Sequence, residues 1–287
     1  MIARRALLAL AGVATAAPAR AAAPPAAAPR RIVAIGGALT EAVYALGAGE
    51  ALVAVDSTSL YPRAATALPQ VGYLRALPPE GIFSLTPDLL LLSSDAGPPQ
   101  VVDVLRSGGL NLSVIADGSG IAAVRQKIGA VGVALGRGAE AAALAETVAA
   151  DWASLDAAAA SIATPLPVLF IIGLGRGVPL VAACGGRNVT QGFQGFRPLS
   201  PEAAAALAPQ AILLMDHTLA EAGGPAAVAA LPGIALTPAA AAGRIFSVDA
   251  TDLAFGPRAA QARRRLLAAL HPTLALPALP PRAWAQG

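Results

Sequence analysis

Residues 75–92, RALPPEGIFSLTPDLLLL, align without a gap with residues 197–214, RPLSPEAAAALAPQAILL. Eight of the 18 positions are identical: Arg75/Arg197, Leu77/Leu199, Pro79/Pro201, Glu80/Glu202, Leu85/Leu207, Pro87/Pro209, Leu91/Leu213 and Leu92/Leu214. Chance would give about two for residues of such ordinary frequency, so the chain carries an internal repeat. Each copy has a loop, a short helix with an acidic first turn, a proline and an apolar strand. Two related lobes then face each other across a cleft, with GYLRALPPE (72–80) and GFRPLSPE (195–202) as corresponding rims. Ligands favour clefts of this kind.

Working outward, RIVAIGG (31–37) is a short β-branched run that ends in glycines and feeds ALTEAVYALGAG, whose Leu39, Val43 and Leu46 recur at helical spacing. EALVAVDS (50–57) and PDLLLLSS (87–94) repeat the strand signal, and PQVVDVLRSGG (99–109) is a helix stopped by glycines before the strand LNLSVIA. Alternation of this kind predicts parallel α/β sheets. Residues 121–162 are alanine-rich and periodic in their second half, which predicts one long helix ending before Thr164-Pro165. A second α/β series starts at PVLFIIGLG (167–175). The expected organisation is a signal peptide at 1–21, an N-terminal lobe at 30–136, a linking helix at 137–164, a C-terminal lobe at 165–272 and a Pro-rich tail at 273–287.

With 56% apolar and 13% charged residues, the 287-residue chain can bury a large core. Its 20 Lys and Arg are scattered, the longest run being 263–265, which is no nucleic-acid footprint. The segment MIARRALLALAGVATAAPARA has a charged start, an apolar stretch and small residues suited to cleavage, as export signals do. The paired Arg4 and Arg5 suit the general or the twin-arginine route. The single cysteine, Cys184, lies far from that signal, so neither a lipid-anchor cysteine nor an intramolecular disulfide is expected, and Cys184 is expected to be a small buried side chain.

RIVAIGGALTEAVYALG, VDSTSLYP, LPQVGYLRALPPEGIFSLTPDLLL, GFQGFRPLSPEAAAALAPQAILL, LPGIALTPAAAAGRIFSVD and FGPRAAQARRRLLAALHP resemble the periplasmic hemin-binding proteins that serve ABC-type heme importers. The resemblance implies two α/β lobes bridged by a single long helix, the helical-backbone metal-receptor type, moving little on ligand binding. It also implies a monomer in the periplasm that carries heme b as its transported ligand and meets an inner-membrane ABC permease with its ATPase. The Gly-Tyr-Leu-Arg stretch is its most specific element, because in that family its tyrosine is the axial oxygen ligand of heme iron. Tyr73 takes that role by resemblance.

The chemistry agrees, since phenolate is a good ligand for ferric iron. Arg75, two residues on in a loop or extended segment, lies on the same side of the chain and stabilises the anion. On residues alone, a rim tyrosine packed on Leu74 or Leu77 beside a surface ion pair is the alternative. His217 follows a strand end, as a distal hydrogen-bond donor, a second iron ligand or a solvated loop histidine. Tyr61 either packs on the porphyrin edge or is a turn tyrosine. Arg176, Arg187, Arg197 and Arg258 are propionate candidates, Arg197 foremost because the repeat sets it opposite Arg75. The resemblance assigns Glu41 and Glu202 to permease docking as exposed acids, one per lobe. Both also suit a helix first turn, as does Glu80, and His271 suits a helix C-terminus as a cation.

The chain departs from the family in PLVAACGGRN (179–188), which passes directly where an additional helical segment is usual, and in IIGLGRGVP, which lacks His, Tyr or Met. A binding protein for cobalamin or a ferric siderophore shares the fold and is the alternative. An exported α/β enzyme is a further one, but the chain has no Gly-x-Gly-x-x-Gly after a strand, no Gly-x-Ser-x-Gly and two histidines in all.

Overall fold

The computed structural model of the protein describes residues 28–171, 177–190 and 199–286; the signal-peptide segment 1–21 lies outside them. The N-terminal lobe contains β1 (Ile32–Ile35), α1 (Gly37–Ala45), β2 (Leu52–Val55), α2 (Pro79–Ser84), β3 (Leu89–Ser93), α3 (Pro99–Ser107) and β4 (Leu112–Ile115), followed by α4 (Gly120–Leu135). After α5 (Gly138–Ala153) and α6 (Asp156–Ala160) come β5 (Leu166–Phe170), α7 (Gly177–Ala183), β6 (Gly186–Asn188), α8 (Pro201–Ala206) and β7 (Ala211–Met215). The short helices α9 (Asp216–Glu221), α10 (Pro225–Ala229) and α11 (Pro238–Ala241) precede β8 (Ile245–Val248) and α12 (Ala259–Leu270).

Two parallel sheets result, ordered β2-β1-β3-β4 and β6-β5-β7-β8. Strands β1 and β3 are buried along their whole length, as interior strands of a parallel sheet covered on both faces must be. The sequence repeat is a repeat in space. Helices α2 and α8 each start on a proline and are followed by a leucine as C-cap, Leu85 or Leu207. The next residue, Thr86 or Ala208, takes a left-handed conformation with φ of 44° or 43°. That conformation is costly for a side chain bearing a Cβ, and a proline follows in both copies and prevents the helix from continuing. Two copies of one strained turn in the same place carry the duplication beyond sequence identity.

Helices α4 and α5 fold back on one another. Gly136 closes α4 in the left-handed region, and a Cβ on Gly132 would stand 2.1 Å from that of Ala141, so the two backbones touch where glycine allows it. The predicted linking helix is interrupted: α5 ends at Ala153, a tightened turn passes through Ser154 and Leu155, and α6 resumes. Its cause is Arg263 of α12. That guanidinium is buried, stacks on the Trp152 ring at 4.6 Å, and donates to the Trp152 carbonyl at 2.9 Å and to Asp156 Oδ1 at 2.6 Å. A side chain inserted into the i→i−4 ladder breaks it there.

One apolar core runs through both lobes, joining Ile32, Leu39 and Leu91 to Ile128, Leu144, Trp152, Phe170, Leu213 and Leu267. Smaller clusters fill the outer face of each sheet. A core shared by both lobes opposes large swings of one against the other. The tail crosses back as a strap: Leu274, Leu276, Leu279 and Trp284 pack on that core, Arg282 makes two bonds to Asp151 of α5, and the Trp284 carbonyl accepts from the Tyr61 hydroxyl at 3.0 Å.

Cys184 is fully buried, its thiol pushed up to about 12 chiefly by burial, so it is packing material as expected. His271 differs from expectation. Burial, reinforced by the Arg244 charge, outweighs its bond to the Cys184 carbonyl at 3.0 Å and lowers its pKa, so it acts as a neutral tie and not as a helix-end cation. Among the described residues no helix is long and apolar enough to cross a membrane.

Candidate ligand-binding site

In open parallel sheets, ligands bind beyond the carboxyl ends of the strands where strand order reverses. Here the ends of β1 and β3, where the order of one sheet reverses, face the ends of β7 and β8 of the other lobe across one cavity of about 540 Å³. That lies within the roughly 300–1,000 Å³ usual for small-molecule sites. Its N-lobe wall is Gly36 to Leu39, Ser57, Thr58, Leu60 and the Tyr73-Leu74-Arg75 loop; Met215, His217, Ala250, Thr251, Leu253 and Ala254 supply the C-lobe wall.

The N-lobe wall is shaped by Asp56. Its fully buried carboxylate accepts from the Gly36 amide (2.8 Å), the Thr58 amide and hydroxyl (3.1 and 2.6 Å) and the Ser59 hydroxyl (2.8 Å). Four donors on one carboxylate hold the loops after β1 and β2 together. A Cβ at Gly37 would stand 2.5 Å from the Thr58 carbonyl oxygen, so only glycine permits this approach.

The Tyr73 loop alternates anchors with presented groups. Val71, Leu74 and Leu77 are buried, while Tyr73 is 43% exposed and Arg75 also faces outward. Backbone bonds from Leu77 to the Gly97 carbonyl (3.0 Å), from Gly97 to Leu74 (2.8 Å) and from Ser57 to Gly72 (2.9 Å) tie the loop to its neighbours. Arg75 donates from Nη1 to the Tyr73 hydroxyl at 3.1 Å and from Nη2 to Asp95 Oδ2 at 3.0 Å. Partial burial opposes the Arg75 charge, but the bonds to Tyr73 and Asp95 outweigh it and raise its pKa. A permanent cation thus sits on the phenol oxygen.

His217, in the first turn of α9, lines the same cavity from the other lobe. Continuing the repeat alignment past the strands pairs it with Asp95, a residue missed in the sequence although that extension would have found it. Also missed was Lys127, whose signal is a lone charge on the stripe Val124, Ile128, Val131 and Leu135 that α4 buries.

Two expected residues are elsewhere. Tyr61 is absent from the cavity wall: its ring lies 3.4 Å from the Arg258 guanidinium and its hydroxyl is spent on the tail, so a porphyrin-edge contact is not available. Glu41, expected as an exposed docking acid, is 3% exposed. It accepts from the Arg258 amide at 2.8 Å and faces the Arg258 Nε at 3.3 Å, which joins α1 to the segment before α12. The reason is cover, since residues 38–43 of α1 are all buried and the Arg258 segment lies over Glu41. Arg258 is thereby occupied too, and Arg187 is exposed on β6 away from the cavity. Arg176 and Arg197, with Gly195 and Phe196 of the second rim, lie outside the described residues. Glu202 is exposed in the first turn of α8. Its repeat partner Glu80 is equally exposed in the first turn of α2.

Burial lifts the Glu41 carboxyl from the ordinary 4.5 to about 7, against the pull of Arg258 and with a small push from Asp252. Because the folded value is the higher one, its contribution to stability is complete below about pH 4.5 and is lost as pH rises through about 7. Denaturant midpoints measured from pH 4.5 to 8 should therefore carry a falling component that Glu41→Gln lacks, and equal slopes in both proteins would remove Glu41 as its source.

A family model described as periplasmic binding protein matches residues 32–251. The structure of the periplasmic heme-binding protein BhuT, solved with two hemes, is 40% identical, with 85% of this chain and 99% of that one covered and a TM-score of 0.79. The periplasmic heme-binding protein RhuT from Roseiflexus sp. RS-1, in apo form, is 37% identical over 85% and 98% of the two chains, with a TM-score of 0.79. The vitamin B12-binding protein of Yersinia pestis is 36% identical over 86 residues, which span 30% of this chain and 31% of that relative's length.

Proposed function

The chain belongs to the periplasmic binding protein family, and on that footing we propose that it takes up heme in the periplasm and delivers it to an ABC-type importer of the inner membrane. One observation carries the reading: Tyr73 stands at the wall of the interlobe cavity with its hydroxyl held by Arg75, itself oriented by Asp95. That is the donor set for a ferric ion arriving inside a flat apolar macrocycle. The phenolate supplies a hard anionic oxygen, Arg75 stabilises it, and Leu39, Leu60, Leu74, Met215 and Leu253 offer apolar surface to the macrocycle faces. Support comes from the identity of 40% and 37% to heme-binding relatives over 85% of the chain, whereas a vitamin B12-binding protein of Vibrio cholerae that is alike over 84% of it is 23% identical and shares the fold alone. The protein is a carrier, since its family and relatives are binding proteins and saturable binding suffices for its role. The ligand is heme b, carried by a monomer whose signal peptide has been removed.

Titration of the mature protein with hemin should give a saturable change in the visible spectrum at one equivalent or a small whole number. Saturable binding of cobalamin or a ferric siderophore, with none of hemin, would replace the reading with its alternative.

For docking, the acids presented on the two lobes are Glu80 and Glu202, equivalent by the repeat, exposed, and each at the start of a helix. Glu202 accepts from its own amide and the Ser200 side chain, which lowers its pKa and keeps it anionic. We place the permease contact on this pair and not on the buried Glu41. The Glu80→Arg/Glu202→Arg variant should bind hemin like the wild type yet fail to support heme-dependent growth through the cognate importer, because rim charges steer and orient docking. Normal growth of that variant would end the docking assignment.

A further inference from the structure

The polar groups of the cavity form one continuous chain from its wall to its floor. The Tyr73 hydroxyl is held by Arg75, and Arg75 by Asp95. The Asp95 amide donates to the Ser93 hydroxyl (3.3 Å), and that hydroxyl donates to Asp117 Oδ2 (3.1 Å). Asp117 Oδ1 accepts from Lys127 Nζ (2.9 Å), which also donates to the Gly118 carbonyl (3.3 Å) and, across the cleft, to the Ala254 carbonyl (2.8 Å). Lys127 projects from the buried stripe of α4 and its side chain is 3% exposed. Ala254 ends the 3-10 turn that forms the C-lobe wall, and Phe255 behind it is 1% exposed with φ of 51°.

We propose that Lys127 is a positioning residue that sets the width of the cleft, holding the 250–254 wall at fixed distance from the Tyr73 loop and so selecting a flat ligand over a bulkier macrocycle. This rests on the heme reading above. An ammonium group is buried at a cost recovered only when its partners are all in place. Here those partners come from both lobes, Asp117 and Gly118 from one and Ala254 from the other. A single gap width is thereby favoured over a range of widths. A planar ligand clamped on both faces needs one spacing, while a thicker, non-planar corrinoid gains from a gap that can widen.

The test compares wild type, Lys127→Met, and Lys127→Met/Asp117→Leu, in which apolar groups replace the pair, a change that is often neutral or stabilising for a buried ion pair. Two readouts are taken from each. The first, without ligand, is the distance distribution between spin labels on cysteines placed at the exposed Val114 and Leu236. The second is the ratio of hemin to cobalamin affinity. In both variants the distance distribution should broaden and the affinity ratio should fall by about tenfold, the size of a lost charged hydrogen bond. The Tyr73 spectral signature should persist in whatever hemin complex forms. Unchanged distance distributions would overturn the tether, and broadened ones with an unchanged affinity ratio would overturn its role in selection. A wild type that binds no hemin would defeat the heme reading itself, and the ligand-free distances would still judge Lys127.

Discussion

Tyr73→Phe is expected to abolish the phenolate-to-iron charge-transfer absorption of the hemin complex. The substitution keeps the ring and removes one oxygen. Val71, Leu74 and Leu77 anchor the loop, and Tyr73 itself is 43% exposed, so the fold and the cavity wall should persist. Some hemin should remain bound through apolar contact, without the band. Arg75→Leu separates a second effect. It removes the donor at 3.1 Å from the phenol oxygen and the ion pair with Asp95, but leaves the oxygen. The band should then survive while hemin affinity at neutral pH drops by about tenfold, as expected for a lost hydrogen bond to a charged group. His217→Ala should change the spectrum little if iron is five-coordinate and strongly if His217 is a second ligand. Visible and resonance Raman spectra of the three variants decide the matter. A wild-type band in Tyr73→Phe would move the iron to another residue, with His217 the first candidate because Tyr61 is committed to Arg258 and the tail.

Glu41→Arg should be the most damaging single substitution for stability. It would set a second guanidinium against Arg258 in a site where the present side chain is 3% exposed. The Gly256 backbone lies close to the Glu41 carboxyl, since a Cβ there would stand 3.1 Å from its carboxyl carbon. Breaking a buried pair typically costs about 3–5 kcal/mol, and like charges add to that. Much of a domain's total stability of about 5–15 kcal/mol would be gone. Equilibrium denaturation of wild type, Glu41→Gln and Glu41→Arg should rank them in that order at pH 5. A Glu41→Arg protein as stable as wild type would show that the carboxyl is not enclosed as described. The same reasoning explains why Glu41 is unsuitable for a test of docking: its loss would act through the fold, while Glu80 and Glu202 are exposed to solvent.

Local pattern determined much of this protein. The duplication follows from residues 75–92 and 197–214 alone, and in space it yields equivalent helices, equivalent left-handed turns at Thr86 and Ala208, and sheets of the same strand order. Parallel α/β architecture follows from apolar runs alternating with helical periods, because strands buried on both faces need no polar alternation. Tyr73 and Arg75 were legible because a contact two residues apart is a local matter, although the segment is a tight turn closed by the Ala76 amide on the Tyr73 carbonyl at 2.8 Å and not the extended one expected.

Contacts between distant residues were decided by tertiary structure. The interruption of the linking segment needs Arg263, more than a hundred residues beyond Trp152. Glu41 faces inward or outward according to what covers α1, and that cover is the Arg258 segment of the other lobe. Tyr61 was a plausible wall residue until the tail and Arg258 occupied it. Lys127 shows the limit most clearly. Its place on an apolar stripe marks it as buried, but only the packing of two lobes brings the Ala254 carbonyl to its ammonium, since hydrogen bonds are short-ranged and the sequence separation of 127 residues is closed by the fold alone.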